Sequence, residues 1–132
     1  MRDTVEHRQI LLVEDDDAIA RMLSGYLEGA GFDVHRESHG IDAVKFAVAH
    51  RPDLVILDLQ LPDIHGYEVC KTLREYYHSW SLPILMLTGM DAPMDQLRGY
   101  AHGADAYITK PFEPPELLPT IALLLGKSEH DV

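Results

Sequence analysis

A single cysteine, Cys70, stands in 132 residues. The chain therefore forms no internal disulfide and no multi-cysteine metal site, a usage that suits a reducing compartment. Positive charge is also scarce: 11 Lys and Arg stand against 22 Asp and Glu, giving a formal net charge of −11. The basic residues are scattered singly, so no local patch offsets a surface that repels nucleic acid and anionic membranes. No apolar run reaches the length of a membrane span. Residues Met1–Gln9 are polar and lack the apolar core of a signal peptide. The expectation is a cytoplasmic protein with no direct nucleic-acid or membrane binding. Internal repeats and low-complexity segments are absent from the sequence.

What is present suits one compact domain. The composition is 46% hydrophobic and 25% charged, enough to bury a core. Short apolar runs at Gln9–Val13, Leu54–Leu57 and Ile84–Leu87 suit strands buried on both faces of a parallel sheet. Phe32–Arg36 and Ala106–Thr109 are weaker strand candidates, as expected nearer an edge. Between the strands lie helical patterns. Ile19, Met22, Leu23, Tyr26 and Leu27 recur at helical spacing, with Asp16 or Asp17 as a cap and Gly29 and Gly31 as the stop. Ile41, Val44, Lys45 and Val48 mark a second helix, stopped before Pro52. Tyr67, Val69, Cys70 and Leu73 mark another, and Cys70 is expected to pack in its core face. Met94, Leu97 and Ala101 mark one ended by Gly103, and Leu117, Leu118, Ile121 and Leu125 mark the last. Pro119, inside that last pattern, is expected to bend its axis. Five β-α repeats with right-handed crossovers give an α/β fold, a doubly wound parallel sheet with helices on both faces. The chain divides into an N-terminal extension over 1–8, the domain over 9–125, and a polar tail or linker start over 126–132.

Ligands in such sheets bind at the carboxyl ends of the strands. Glu14, Asp15, Asp16 and Asp17 follow the first strand, Asp58 ends the third, Thr88 ends the fourth, and Lys110 with Pro111 follows the fifth. Several carboxylates, one hydroxyl and one ammonium thus converge on one rim. Carboxylates from separate strands suit hard Mg²⁺, which relieves their mutual repulsion. Thr88 can donate to a phosphoryl oxygen and Lys110 can pair with another. Phosphoryl transfer asks mainly for this positioning and charge neutralisation. Asp58, on the central strand, is the natural nucleophile. The eight histidines show no ligand pairing on a helix and read as surface residues, with His65 nearest the rim.

The segments Leu12–Asp16, Leu57–Pro62, Leu87–Gly89 and Lys110–Phe112, in this order and each at a strand end, resemble the receiver domain of two-component response regulators. The likeness covers roughly residues 8 to 125. It implies a flavodoxin-like (βα)5 sheet of strand order 2-1-3-4-5. It implies Asp58 as phosphoacceptor, with Asp15 binding Mg²⁺ directly, Glu14 through water, and the Gln60 backbone carbonyl completing the coordination. It implies that Thr88 and the Gly89 amide hold phosphoryl oxygens beside Lys110, and that the Lys110–Pro111 bond is cis. Tyr107 occupies the place of a switch aromatic, or is a packed strand tyrosine. The implied donor is a sensor histidine kinase or a histidine phosphotransfer protein. The implied domain is a signalling phosphoacceptor, assisting its own phosphorylation and slow dephosphorylation, with an output partner or effector the sequence does not name. Gln60 and Met90 border the approach of the hydrolysing water, and an apolar Met90 implies slow loss of phosphate. Ala106, where a second acid is usual, and the lack of a basic residue over Pro114–Leu125 depart from receivers joined to winged-helix domains.

Two neighbouring chemistries fit less well. A dehalogenase-type phosphatase wants a second Asp two residues after the nucleophile, where Gln60 stands. A flavodoxin wants a phosphate loop rich in Ser, Thr and Gly after the first strand, where an acidic run stands. A receiver-like interaction module independent of phosphate has no need of the acceptor, metal and lysine positions.

Overall fold

A computed structural model describes residues 7–77, 81–89, 98 and 100–130. Five parallel strands form one sheet: β1 (Gln9–Val13), β2 (Asp33–Glu37), β3 (Leu54–Asp58), β4 (Ile84–Thr88) and β5 (Ala106–Thr109). Their order is β2-β1-β3-β4-β5. The helices are α1 (Asp17–Gly29), α2 (Gly40–His50), α3 (Gly66–Tyr76) and α4 (Leu117–His130), the last entered through a 3₁₀ turn at Pro114–Glu116. Arg98, Tyr100 and Ala101 are also helical. Met90, Met94 and Leu97 lie outside the described residues.

The central strands are buried on both faces because each carries a run of four apolar residues, and alternation splits them between two cores. Leu11, Val13, Val55, Leu57, Ile84 and Met86 pack under α2 and α3. Ile10, Leu12, Leu54, Ile56, Leu85 and Leu87 pack under α1 and α4. Asp16 caps α1, its Oδ1 accepting from the Ile19 N–H at 2.9 Å. Gly31, at φ 104°, turns the chain into β2. Cys70 is fully buried among the α3 core residues.

Several expected details shift. β2 runs one residue later than Phe32–Arg36, and β3 and β4 extend to include Asp58 and Thr88. The buried face of α2 is Gly40, Ala43 and Ala47, while Ile41 and Val48 are exposed. The Gly40 Cα sits so close to the neighbouring helix that an added Cβ would lie 2.6 Å from Ile64 Cγ1 and 2.7 Å from Val69 Cγ2. Small residues let α2 approach, so Ile41 and Val48 face outward while Val44 and Phe46 pack partly buried against the core. Pro119 is the third residue of α4. It lies in the first turn, where a missing N–H breaks no intrahelical bond, so the expected bend has no cause. The helix also continues past residue 125, through His130.

Candidate functional site

The strand order reverses between β1 and β3, and the acidic residues gather at the carboxyl ends of that pair. Glu14 follows β1 directly. Its N–H donates to the Glu37 carbonyl at 3.0 Å, and its carbonyl accepts from Arg36 Nε at 2.8 Å. Its carboxylate turns inward, and the residue is only 1% exposed. Asp15 beside it is exposed. Asp58 closes β3 and is 5% exposed. Glu14, Asp15 and Asp58 each offer an oxygen, and these oxygens lie within 4.8 Å of one another.

Among the described residues, the Lys110 ammonium faces two of these carboxylates. Lys110 Nζ stands 3.1 Å from Asp58 Oδ2 and 3.7 Å from Glu14 Oε1. Asp58 Oδ1 accepts from the Gln60 N–H at 3.2 Å, so the backbone turns at Gln60 beside the carboxylate. Glu14 Oε1 is buried and accepts no hydrogen bond. Burial, then the charge of Asp58, pushes the Glu14 carboxyl up to about 7. An excess of buried negative charge with an unsatisfied oxygen is what a divalent cation resolves, so the residues fit Mg²⁺. The cluster opens into a cavity of about 390 Å³ bordered by Asp15, Ile19, Gln60, Leu61 and Pro62.

Thr88 ends β4 beside Asp58 and is 1% exposed. It is brought to the same rim by register, Asp58 pairing with Leu87 and Thr88 with Thr109. Its carbonyl accepts from the Lys110 N–H at 2.7 Å. Thr88 is not among the described residues bordering the acidic cavity. Gly89 is exposed, with open space where a Cβ would sit. The Lys110–Pro111 peptide bond is cis.

Tyr107, on β5, is half-buried. Its hydroxyl donates to the Tyr67 hydroxyl at 3.4 Å, and its ring meets that of Tyr100 edge-on at 5.3 Å. Tyr67 in turn stacks on His102 at 5.1 Å and is tilted against His65 at 4.8 Å. His65 is no idle surface residue, because its Nδ1 accepts from the Tyr67 N–H at 3.1 Å and caps α3. Three supporting residues escaped the sequence reading. Arg36 holds the Glu14 carbonyl and pairs with Asp17 at 2.9 Å. Asp63 caps α2 from another loop, and Tyr67 receives the Tyr107 hydroxyl. Their partners lie 19 to 40 residues away, beyond any local pattern.

Residues 10–122 match the family model of the response regulator receiver domain. Among curated proteins, the chain is 42% identical over 123 residues to the alkaline phosphatase synthesis transcriptional regulatory protein PhoP of Bacillus subtilis, covering 93% of this chain and 50% of that one. The chain spans about half the length of the curated relatives it matches. Among solved structures it is similar to a response regulator of Chloroflexus aurantiacus (TM-score 0.83, 39% identity, 92% of this chain and 99% of that one). It is also similar to the BeF3-activated receiver domain of Klebsiella pneumoniae RstA (TM-score 0.82, 34% identity, 89% of this chain and 97% of that one).

Proposed function

The chain belongs to the response regulator receiver domain family, and from that premise we propose that Asp58 accepts a phosphoryl group from a partner's phosphohistidine. The observation that supports this reading best is the buried Asp58 carboxylate, paired with Lys110 at 3.1 Å beside an unsatisfied Glu14 oxygen. An Asp58 oxygen attacks the phosphorus, the P–N bond of the donor imidazole breaks, and an acyl phosphate forms. Lys110 then exchanges its carboxylate partner for a phosphoryl oxygen, and Thr88 and the Gly89 amide take others. Asp15 and Asp58, the Gln60 carbonyl and, through water, Glu14 would hold Mg²⁺. When bound, the ion neutralises the charge that builds on the transferred group. The donor would be a sensor histidine kinase or a histidine phosphotransfer protein. The chain's own side chains supply the positioning, so it assists its own phosphorylation and slow dephosphorylation.

The same reading makes Tyr107 the switch. Thr88 moves toward the phosphoryl group, and Tyr107 leaves the Tyr67 hydroxyl and turns inward. A protein-interaction face around β5 changes as a result. Several curated relatives are named as DNA-binding or transcriptional regulators, which supports an output in gene control within the cytoplasm. No described helix is long and apolar enough to cross a membrane.

Intact-mass spectrometry tests the acceptor. Wild type with Mg²⁺ and a small acyl-phosphate donor gains one phosphoryl group, and Asp58→Asn gains none. Equal labelling of the two overturns the assignment. Amide spectra recorded with and without beryllofluoride test the switch, which requires shifts at Tyr107 and not at the acidic rim alone.

A further inference from the structure

The end of β2 and the start of α2 supply none of the clustered carboxylates, yet the loops that follow β1 and β3 are both fastened to these two segments. On the β1 side, Glu37 accepts from the Glu14 N–H and Arg36 Nε donates to the Glu14 carbonyl. On the β3 side, the Asp63 carboxylate spans the start of α2. Its Oδ1 accepts from the Gly40 N–H at 2.8 Å and its Oδ2 from the Ile41 N–H at 3.0 Å. Desolvation pushes the Asp63 carboxyl upward, but these N–H groups and that of Ile64 outweigh it, and the net shift is downward. His39, which occupies the local cap position of α2, makes no side-chain cap bond. The helix is therefore capped from the β3–α3 loop instead of from its own sequence.

That loop is pinned at two places. Its base is closed by the Gly66 N–H donating to the Leu59 carbonyl at 2.7 Å, with no room for a Cβ at Gly66, which would stand 2.7 Å from the Asp58 carbonyl oxygen. Its tip is held by Asp63 and by Ile64 lying against Gly40. Gln60, Leu61 and Pro62 stand between base and tip and border the acidic cavity. A loop fixed only at its base pays conformational entropy whenever its carbonyl is recruited by an ion, and a loop fixed at both ends has paid it on folding.

We propose that Asp63 is a positioning residue for the Mg²⁺ site: by clamping the loop tip to the start of α2 it holds the Gln60 backbone where its carbonyl reaches the ion. This inference rests on the reading of Glu14, Asp15 and Asp58 as a Mg²⁺ site. A mere helix cap would stabilise the fold without changing metal affinity, and this difference separates the two roles.

The experiment is a Mg²⁺ titration followed by amide NMR, with melting temperatures recorded without metal. It uses wild type, Asp63→Ala, Asp63→Asn and the double variant Asp63→Ala with His39→Ser. Ser at 39 gives α2 a cap of its own without restoring the tie to the loop. Asp63→Ala should weaken Mg²⁺ binding roughly tenfold, the lower end for partners that support a metal ligand from outside. Asp63→Asn, with one acceptor oxygen left, should fall between the two. The double variant should recover the melting temperature and keep the weakened binding. Wild-type affinity in Asp63→Ala, or recovery of both properties in the double variant, overturns the positioning role while the metal site stands. Absence of Mg²⁺ binding in wild type overturns the metal reading and the inference with it.

Discussion

Two charged clusters sit at opposite ends of the same sheet, and they are built on opposite terms. At the amino end of β4, Arg74 and Asp105 meet at 2.6 Å. Arg74 also donates to the carbonyls of Gly103 at 2.9 Å and Leu82 at 2.8 Å, and Asp105 Oδ2 accepts from the Ile84 N–H at 2.8 Å. Gly103, at φ 106°, leaves no space for a Cβ against Arg74 Cγ, so the guanidinium closes over the loop. Among the described residues, one positive charge meets one negative charge there. At the carboxyl end, the described residues gather three carboxylates with one ammonium beside two of them, and a buried oxygen of Glu14 accepts no hydrogen bond. The balanced cluster ties α3, β4 and the approach to β5 together. The unbalanced one keeps a buried oxygen without a hydrogen bond and raises the Glu14 carboxyl above its ordinary value. Charge balance and satisfaction, more than burial, separate a structural ion pair from a reactive one.

Removing one partner from each cluster should therefore move stability in opposite directions. Arg74→Ala strands a mostly buried carboxylate and should cost about 3–5 kcal/mol in urea denaturation. A loss below about 1 kcal/mol would mean that Arg74 is no more than a surface contact.

Asp15→Ala should raise the melting temperature without Mg²⁺, because it relieves repulsion, while abolishing Asp58 labelling. A melting temperature that falls on this substitution would break the contrast. Glu14 sharpens it through pH. Its carboxyl stands at about 7 in the fold against an ordinary 4.5, so between those values the folded chain binds more protons than the unfolded chain. Stability without metal should fall as pH rises through that window, by on the order of 1–3 kcal/mol, and be free of this penalty below it. Glu14→Gln should flatten that slope, as should saturating Mg²⁺ at the upper end.

The smallest effect belongs to Tyr67→Phe. It removes the hydroxyl that receives the Tyr107 proton and should cost about 0.5–1.5 kcal/mol. It should also enlarge the beryllofluoride-induced shifts at Tyr107, which would leave a weaker resting contact. Unchanged shifts would place the resting hold on Tyr107 elsewhere, for instance on its edge contact with Tyr100.

The polar positions at the strand ends were readable in advance because they directly follow or end apolar runs: Glu14 after Gln9–Val13, Asp58 at the end of Leu54–Asp58, Thr88 at the end of Ile84–Thr88. Strand order then does the assembling. The helix α2 was legible from its spacing but its buried face was not, because apolar size is a poor guide where two helices approach closely; Ala43 and Ala47 are inside and Ile41 and Val48 outside. Pro119 was misplaced because helix starts blur when a 3₁₀ turn precedes them. The Arg74–Asp105 clamp and the Asp63 cap were invisible, since each joins residues 22 to 31 apart and neither leaves a periodic trace.

The lone cysteine gives the domain a built-in clock. Burial pushes the Cys70 thiol up to about 11, with Arg74 opposing and Asp105 adding, so at neutral pH the folded chain presents neither access nor thiolate to an alkylating reagent. Labelling must wait for α3 to come away from the sheet, and with no second thiol every modified molecule reports that one opening event. Cys70 alkylation rates thus read the local opening free energy of the unlabelled native chain, with or without Mg²⁺, without engineered probes.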